Sequence, residues 1–412
     1  MMDFKDKLYS YLSVGIIIAC CCTLVIGWIP IFDRTWLWAL LLVFISFLFY
    51  KEGLMKNYMF PLLFYGFILY LNVYVGDPRF DWISSTMELS YYFIVSYVFY
   101  IFSQESFYET LFYFLLLYFV VIVITFIGTT IIYVQEPEIL RMIQGGVNEG
   151  DLTLFNIYAK LGVESYEMGH ALPSLIPIIV YVIKKTHNLL TRFFFGALLF
   201  MILSLVYMST ATTSLLLSVI LVFLSFVLNN NRTRNVFVIL FCSCVTLSFF
   251  FNRELLGGLL DNFTFESSDT YAGKVEDFQD YAIYGTPGRQ TSGRLDLYKR
   301  SLDVFCTYPI IGSDDSGNIG GHSVFLDRMA MLGLLGFIPL LIYLFVYMRY
   351  VLQSLFSNTR IYCLLGFIFY FIMGFLKNIF NFEYIIITLL IMPLLCLYVD
   401  RVLPISDECE YF

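Results

Sequence analysis

The chain has 412 residues, of which 59% are hydrophobic, 19% aromatic and only 14% charged, against about 25% charged in a typical soluble domain. That composition excludes a soluble globular enzyme. The net charge of −8, with 32 acidic against 24 basic residues and no basic stripe, speaks against a nucleic-acid partner. The apolar runs are long enough to cross a bilayer as helices, which satisfy their own backbone polar groups in lipid. The fold class is therefore all-α, a polytopic membrane protein.

In chain order, the runs predict about twelve transmembrane helices, near 11–29, 35–50, 58–75, 88–102, 111–134, 171–183, 193–209, 214–228, 235–251, 329–348, 361–376 and 385–399. The N-terminal stretch MMDFKDKLYS leads into an apolar run without a small-residue cleavage site, which predicts an uncleaved first helix. The cysteines Cys20, Cys21 and Cys22 have no tetrahedral ligand spacing and read as small apolar residues. With the N-terminus in the cytoplasm, the cytoplasmic side holds Lys5, Lys7, Lys51, Lys56, Lys184, Lys185, Arg192, Arg232, Arg234, Arg349, Arg360 and Arg401, twelve in all. The short outer connections hold three, Arg34, Arg79 and Lys377. This bias sets the frame by the positive-inside rule and puts both termini in the cytoplasm.

Two long segments then lie outside. Residues 1–251 form helices 1–9, with an outer loop at 135–170 that carries Arg141, Lys160 and His170. Residues 252–328 form a large extracytoplasmic loop between helices 9 and 10, and 329–412 hold the last three helices and a cytoplasmic tail. Long loops that are not linkers are common seats of function.

The second half of the large loop is the most informative stretch. Ser292 is placed to cap a helix with apolar positions Leu295, Tyr298, Leu302 and Phe305 at helical spacing. Pro309 and Gly312 end it, a Gly/Asp/Ser-rich turn follows, and His322 precedes a helix that enters the membrane past Arg328. Arg294 and His322 are the candidate catalytic residues. Arginine offers a fixed fork of donors suited to phosphate, and histidine is the side chain best placed to take a proton near neutral pH. The competing reading pairs Arg294 with Asp296 or Asp303 and leaves the histidine solvated. Asp314, Asp315 and Asp327 could bind a hard cation, but SDDSGN lacks the full calcium-loop pattern and reads as a solvated turn. The polar run Ser209–Ser214 either turns between two helices or lines an outward cavity. Asp33, Asp77, Asp81 and Glu88 read as loop charges, with a carboxylate base among them as a lesser option. No phosphate-binding glycine loop, zinc-protease helix or nucleotide fingerprint is present.

Arg294 opening an amphipathic helix, Pro309-Ile-Ile-Gly312, His322-Ser323 and Gly333-Leu-Leu-Gly336 together resemble the signature of the bacterial O-antigen ligase and polysaccharide polymerase (Wzy-type) superfamily. The Ser/Thr run at 209–214 resembles that family's Ser-rich stretch. This chain departs in its turn, where Ser313-Asp314-Asp315 replaces a second glycine, and in its earlier outer loop, where Lys160-Leu-Gly162 and Arg141 stand in for a functional arginine. The resemblance implies a donor oligosaccharide on undecaprenyl pyrophosphate, and glycosyl transfer outside the cytoplasmic membrane without nucleotide or metal cofactor. It gives Arg294 the pyrophosphate and His322 the acceptor proton. Arg141, Lys160, Arg289, Arg300 and His170 become candidates to touch pyrophosphate or glycan. The implied partners are membrane lipid, a chain-length regulator and a repeat-unit flippase. A polymerase is expected, with transfer to lipid A-core, the ligase reaction, as the alternative.

A reading from another class is a secondary transporter, which would carry interrupted helices or charges at mid-membrane. The sequence places its charges almost wholly in loops. Reporter fusions after Asn188, Asn230 and Asn358 are expected to report cytoplasm, and fusions after Gly150 and Gly285 the outside. The reverse result at the large loop would put His322 in the cytoplasm and remove the enzyme from consideration.

Overall fold

A computed structural model of the chain describes residues 56–75, 82–104, 107–135, 166–209, 211–228, 289–313, 319–378 and 382–403. Among these the structure is all-helical: α1 (Met59–Val75), α2 (Trp82–Phe102), α3 (Tyr108–Gln135), α4 (Tyr166–Ala171), α5 (Ile176–Lys185), α6 (Leu189–Met208), α7 (Thr212–Val227), α8 (Arg289–Thr307), α9 (Val324–Ser354), α10 (Ser357–Leu376), α11 (Phe382–Ile386) and α12 (Met392–Arg401). A 3₁₀ turn, Leu172–Leu175, joins α4 to α5, and a π-turn, Ile387–Ile391, joins α11 to α12. Tyr108–Val134, Leu189–Met208, Val324–Ser354, Asn358–Leu376 and Glu383–Arg401 are each long and apolar enough to cross a membrane, and α1 and α7 are shorter apolar helices. The expected spans within the described residues all fall on helices. Those at 11–29, 35–50 and 235–251 lie outside them, so the total of about twelve remains an expectation.

Two boundaries differ from the sequence reading. The helix expected from 88 starts at Trp82, which draws Glu88 out of a loop and into α2. The helix expected from 171 begins at Tyr166, and Pro173 and Pro177 break it into α4, the 3₁₀ turn and α5, since proline cannot donate to the preceding turn.

The longest helix among the described residues, α9, is central and packs on α1, α8 and α10, while α5 packs on α6, α7 and α10. Its core is rich in tyrosine: Tyr58, Tyr65, Tyr92, Tyr343, Tyr347, Tyr370 and Tyr384 are fully buried. A hydroxyl without a partner is expensive inside a bilayer, and several of these donate to main-chain carbonyls. Tyr343 donates to the Tyr92 carbonyl at 2.8 Å and Tyr384 to that of Tyr370 at 2.9 Å. Pro393 has no N–H to offer the Leu389 carbonyl one turn back, and Tyr347 supplies the missing donor at 2.6 Å.

The basic residues expected on one side of the membrane gather at one end. Lys184 Nζ donates to the carbonyls of Ser225, Phe226 and Leu228 at 3.1, 2.8 and 2.7 Å. Arg192, Arg360 and Arg401 donate to the carbonyls of Thr186, Leu355 and Ser354, and Lys56 lies over the Tyr100 ring at 4.9 Å. Cations at helix C-termini satisfy orphan carbonyls and suit the helix dipole. Glu88, Arg328, His322 and Lys377 lie at the opposite end.

The sharpest local constraint joins Pro309–Gly312 to Gly333. Within α9, Gly333 leaves helical geometry with φ 58° and ψ −166°, which opens the ladder and frees donors and an acceptor. The turn after α8 fills them: Leu334 N–H donates to the Pro309 carbonyl at 2.8 Å, Leu335 N–H to that of Ile310 at 3.0 Å, and Ser313 N–H to that of Ala330 at 3.1 Å. Gly312, at φ 83°, lies against the Met331 carbonyl, and Gly333 lies against Ile310. A Cβ at either position would overlap main-chain atoms. Gly312→Ala and Gly333→Ala are therefore each expected to destabilise the protein by more than the about 1–2 kcal/mol of a left-handed backbone alone. Gly196→Ala, in a helix interior with open space around it, is expected to be neutral or to gain about 0.5–1 kcal/mol. Thermal unfolding in detergent checks this, and equal effects at all three sites would contradict the interlock.

Candidate functional site

The interlock sets the end of α8 against α9, and a buried carboxylate fixes the rest. Asp327, in the first turn of α9, is 6% exposed. Its Oδ1 accepts from Ser301 Oγ of α8 at 2.6 Å and its Oδ2 from Ser323 N–H at 3.1 Å. Ser323 is the N-cap of α9, its Oγ accepting from Leu326 N–H at 3.3 Å, so serine and aspartate cap the helix reciprocally in the manner of a capping box. Ser301 Oγ also accepts from Gly320 N–H at 3.0 Å, and Gly320 lies so close to the Leu297 carbonyl that a Cβ would overlap it. Asp327 is thus a buried tie between α8, the turn and α9, and the sequence reading of it as part of a solvated acidic turn is corrected. Asp314 and Asp315 lie outside the described residues.

This tie sets the face that α8 presents. The helix begins at Arg289, so Ser292 is inside it and does not cap it. Ser301 and Val304 are buried and Arg294, Leu297, Tyr298 and Phe305 half-buried, whereas Leu295 and Leu302 are exposed. Tyr298 and Phe305 fall on the packed face as expected. Leu295 and Leu302 do not, because the face is chosen by the hydrogen bonds of Ser301.

His322 immediately precedes the N-cap of α9 and is half-buried. Its ring stands 6.0 Å from that of Tyr298, and Arg294 lies one helical turn from Tyr298 on the same face. The loop thus brings Arg294 and His322 to one place. The third side is the end of α10, where the Leu376 carbonyl accepts from Tyr298 Oη at 2.8 Å and the Lys377 carbonyl from Val324 N–H at 3.1 Å. Asn378 Nδ2 donates to the Gly321 carbonyl at 3.2 Å. Nothing in the sequence marked Lys377 beyond its being a lone cation in a short connection.

The site is basic. Arg294 has no ion-pair partner among the described residues, where the pairs are Arg328–Glu88 and Arg401–Asp400; the alternative pairing with Asp296 or Asp303 is not formed. His322 Nε2 is buried and without a hydrogen-bond partner among the described residues. Burial, followed by the charges of Lys377 and Arg294, pushes the His322 imidazole below its usual value, so it is a neutral proton acceptor at neutral pH. Burial raises the Tyr298 phenol, which stays protonated as a donor. Arg300 is exposed on the outer face of α8. Arg289 opens α8, and Arg141 and Lys160 lie outside the described residues.

Two other residues singled out in the sequence are enclosed. His170, in α4, is fully buried with its Nδ1 bonded to Ser214 Oγ, so it sits inside the bundle and not on a loop surface. Of the run at 209–214, Ser209 is the C-cap of α6, Ala211 the N-cap of α7 and Thr212–Ser214 its first helical residues, while Thr210 lies outside the described residues. Glu88 is buried in α2, accepting from Tyr65 Oη at 2.5 Å and pairing with Arg328 of α9, which corrects its reading as a solvated loop charge.

Removing one member of a buried ion pair leaves an uncompensated charge, at about 3–5 kcal/mol. Glu88→Ala and Arg328→Ala are each expected to destabilise the protein by about that much, and Glu88→Gln with Arg328→Met by less than either. Denaturant unfolding in detergent reads all three, and single variants of wild-type stability would mean that the pair is not buried.

In comparisons with known proteins, no family model, no curated protein and no solved structure matches this chain.

Proposed function

We propose that the chain is a glycosyltransferase that joins oligosaccharide repeat units carried on undecaprenyl pyrophosphate, acting at the outer face of the bacterial cytoplasmic membrane. The observation that carries this reading is the basic cluster at the end of the bundle, where Arg294 and a His322 Nε2 without a hydrogen-bond partner among the described residues lie beside Tyr298. The resemblance of Arg294, Pro309–Gly312, His322 and Gly333–Gly336 to the ligase and polymerase signature gives that chemistry a substrate.

In the reaction, the acceptor hydroxyl gives its proton to His322 Nε2 as its oxygen bonds the anomeric carbon of the donor. The bond from that carbon to the pyrophosphate oxygen breaks, and undecaprenyl pyrophosphate leaves with the electron pair. Arg294 holds the pyrophosphate and stabilises the charge that develops on it. A lipid pyrophosphate is already a good leaving group, so no nucleotide is consumed. When the acceptor is the terminal sugar of another lipid-linked unit the product is a polymer, the reading preferred here. With lipid A-core as acceptor the same steps make a ligase.

His322→Ala is expected to lower the rate about 10²–10⁴-fold and to let lipid-linked units accumulate without polymer, at normal protein levels. Arg294→Lys is also expected to fail, because an ammonium keeps the charge and loses the fork. The charges acting on His322 are those of Lys377 and Arg294, and the Tyr298 ring of α8 stands beside it. Since its pKa is lowered, the base form persists below the ordinary value of about 6.5; activity is flat above that and falls as pH drops through the lowered value. Wild-type polymer from both variants, at matched expression, would refute the assignment.

A further inference from the structure

We infer that the groove between α9 and α10, at the end of the bundle opposite His322, is a binding site for an anionic phospholipid of the leaflet on that side. It is separate from Arg294 and His322 and from the donor proposed to bind there.

Leu355 and Phe356 alone join α9 to α10, so the two helices form an antiparallel hairpin. Between them lies a groove of about 380 Å³. Met348 and Phe367 are buried at its floor, while Phe345, Leu364 and Ile368 stand exposed along its sides. At the end away from the hairpin connection, the Phe345 ring stacks on that of Phe371 at 5.5 Å. Between Arg360 and Phe371, α10 rises about 16 Å. That is close to one leaflet of a hydrocarbon core about 30 Å thick, so the apolar part of the groove has the length of an acyl chain's path.

The other end of the groove is polar. Arg349 near the end of α9, Gln353 one turn on and Arg360 near the start of α10 line it, and all three are exposed. Arg360 Nη2 donates to the Leu355 carbonyl at 2.7 Å, which holds the guanidinium at the hairpin connection. Its charge also acts on Asp400, whose oxygens already accept from Phe356 N–H and Thr359 Oγ1. Arg349 has no hydrogen-bond partner, and neither arginine an ion-pair partner, among the described residues. No acidic side chain among them lines the groove. A guanidinium fork pairs bidentately with phosphate, and basic pockets between helices on the cytoplasmic side suit anionic head groups. This is the end where Lys184, Arg192 and Arg401 also gather, expected in the cytoplasm by the positive-inside rule. A zwitterionic head group would set its own cation against the two arginines, so the charge of the groove selects a lipid with a net negative head.

The test titrates the purified full chain in detergent with phosphatidylglycerol and, separately, with phosphatidylcholine of the same acyl chains, and reads bound lipid by native mass spectrometry. Wild type is expected to prefer phosphatidylglycerol by about 20–30-fold, near fivefold for each arginine. Arg349→Gln is expected to lower that preference about fivefold, and Arg349→Gln with Arg360→Gln to abolish it. Lys185→Gln, at the same end on α5 and outside the groove, is the control with unchanged preference. In nanodiscs, phosphatidylglycerol with a photoreactive acyl chain is expected to label the stretches 345–353 and 364–371. Wild type without a preference, or Arg349→Gln with the full one, would overturn the site. A loss in Lys185→Gln equal to that in Arg349→Gln would assign the preference to diffuse surface charge and overturn it equally. Label confined elsewhere, with the groove cross-linked instead to residues 11–50 of the same chain or to a second copy, would overturn the lipid as occupant.

Discussion

The geometry of this end of the molecule depends on one buried carboxylate. Asp327 accepts from Ser301 of α8 and from Ser323 at the cap of α9, and the same serine of α8 holds Gly320. Removing a partner from a buried acceptor leaves its desolvation uncompensated, about 1–3 kcal/mol and more for a charged group. The arrangement is therefore all-or-none: either α8, the turn and α9 are tied together or none of them is. The glycine interlock at Gly312 and Gly333 does the same through the main chain, one layer deeper. Arg294 and His322 inherit their places from these two ties, because neither makes a hydrogen bond that would fix it independently among the described residues.

Several polar groups elsewhere in the bundle follow the rule that inside a bilayer they must find partners within the protein. Tyr343, Tyr347 and Tyr384 of the core turn their hydroxyls to carbonyls, and Tyr347, beside Pro393, fills a donor that proline lacks. Glu88 and Arg328 neutralise each other beside Tyr65. At the other end, lysines and arginines cover the last carbonyls of neighbouring helices. Among the described residues Arg294 is left without an ion-pair partner and His322 Nε2 without a hydrogen-bond partner, and the proposed function rests on that contrast.

Much of this was legible in the sequence. Long apolar runs locate helices because lipid leaves the backbone no other way to satisfy itself, Pro309 and Gly312 stood out as residues that end a helix, and Gly333–Gly336 stood out only through the family resemblance. Their mating did not, since pairing between segments more than twenty positions apart leaves no mark on either. Hydrophobic periodicity picked Leu295 and Leu302 for the packed face of α8, where the structure buries Ser301, because a count of apolar residues cannot see a serine held by hydrogen bonds. Glu88 was assigned to a loop for a related reason: its partner, Arg328, lies 240 positions away. His170 and Lys377 each looked like a charge in an outer connection, and only the packing of α4 and of the α10 end shows them enclosed.

The central claim is that the site of Arg294 and His322 transfers a glycan from a lipid pyrophosphate. The most direct measurement places the purified chain in liposomes with an oligosaccharide repeat unit on polyprenyl pyrophosphate, without nucleotide or divalent metal, and follows both the glycan and the lipid. The account predicts a ladder of lengthening glycans, with one polyprenyl pyrophosphate released for each new linkage. Donor that stays intact and is instead delivered across the vesicle membrane would contradict it and favour a transporter.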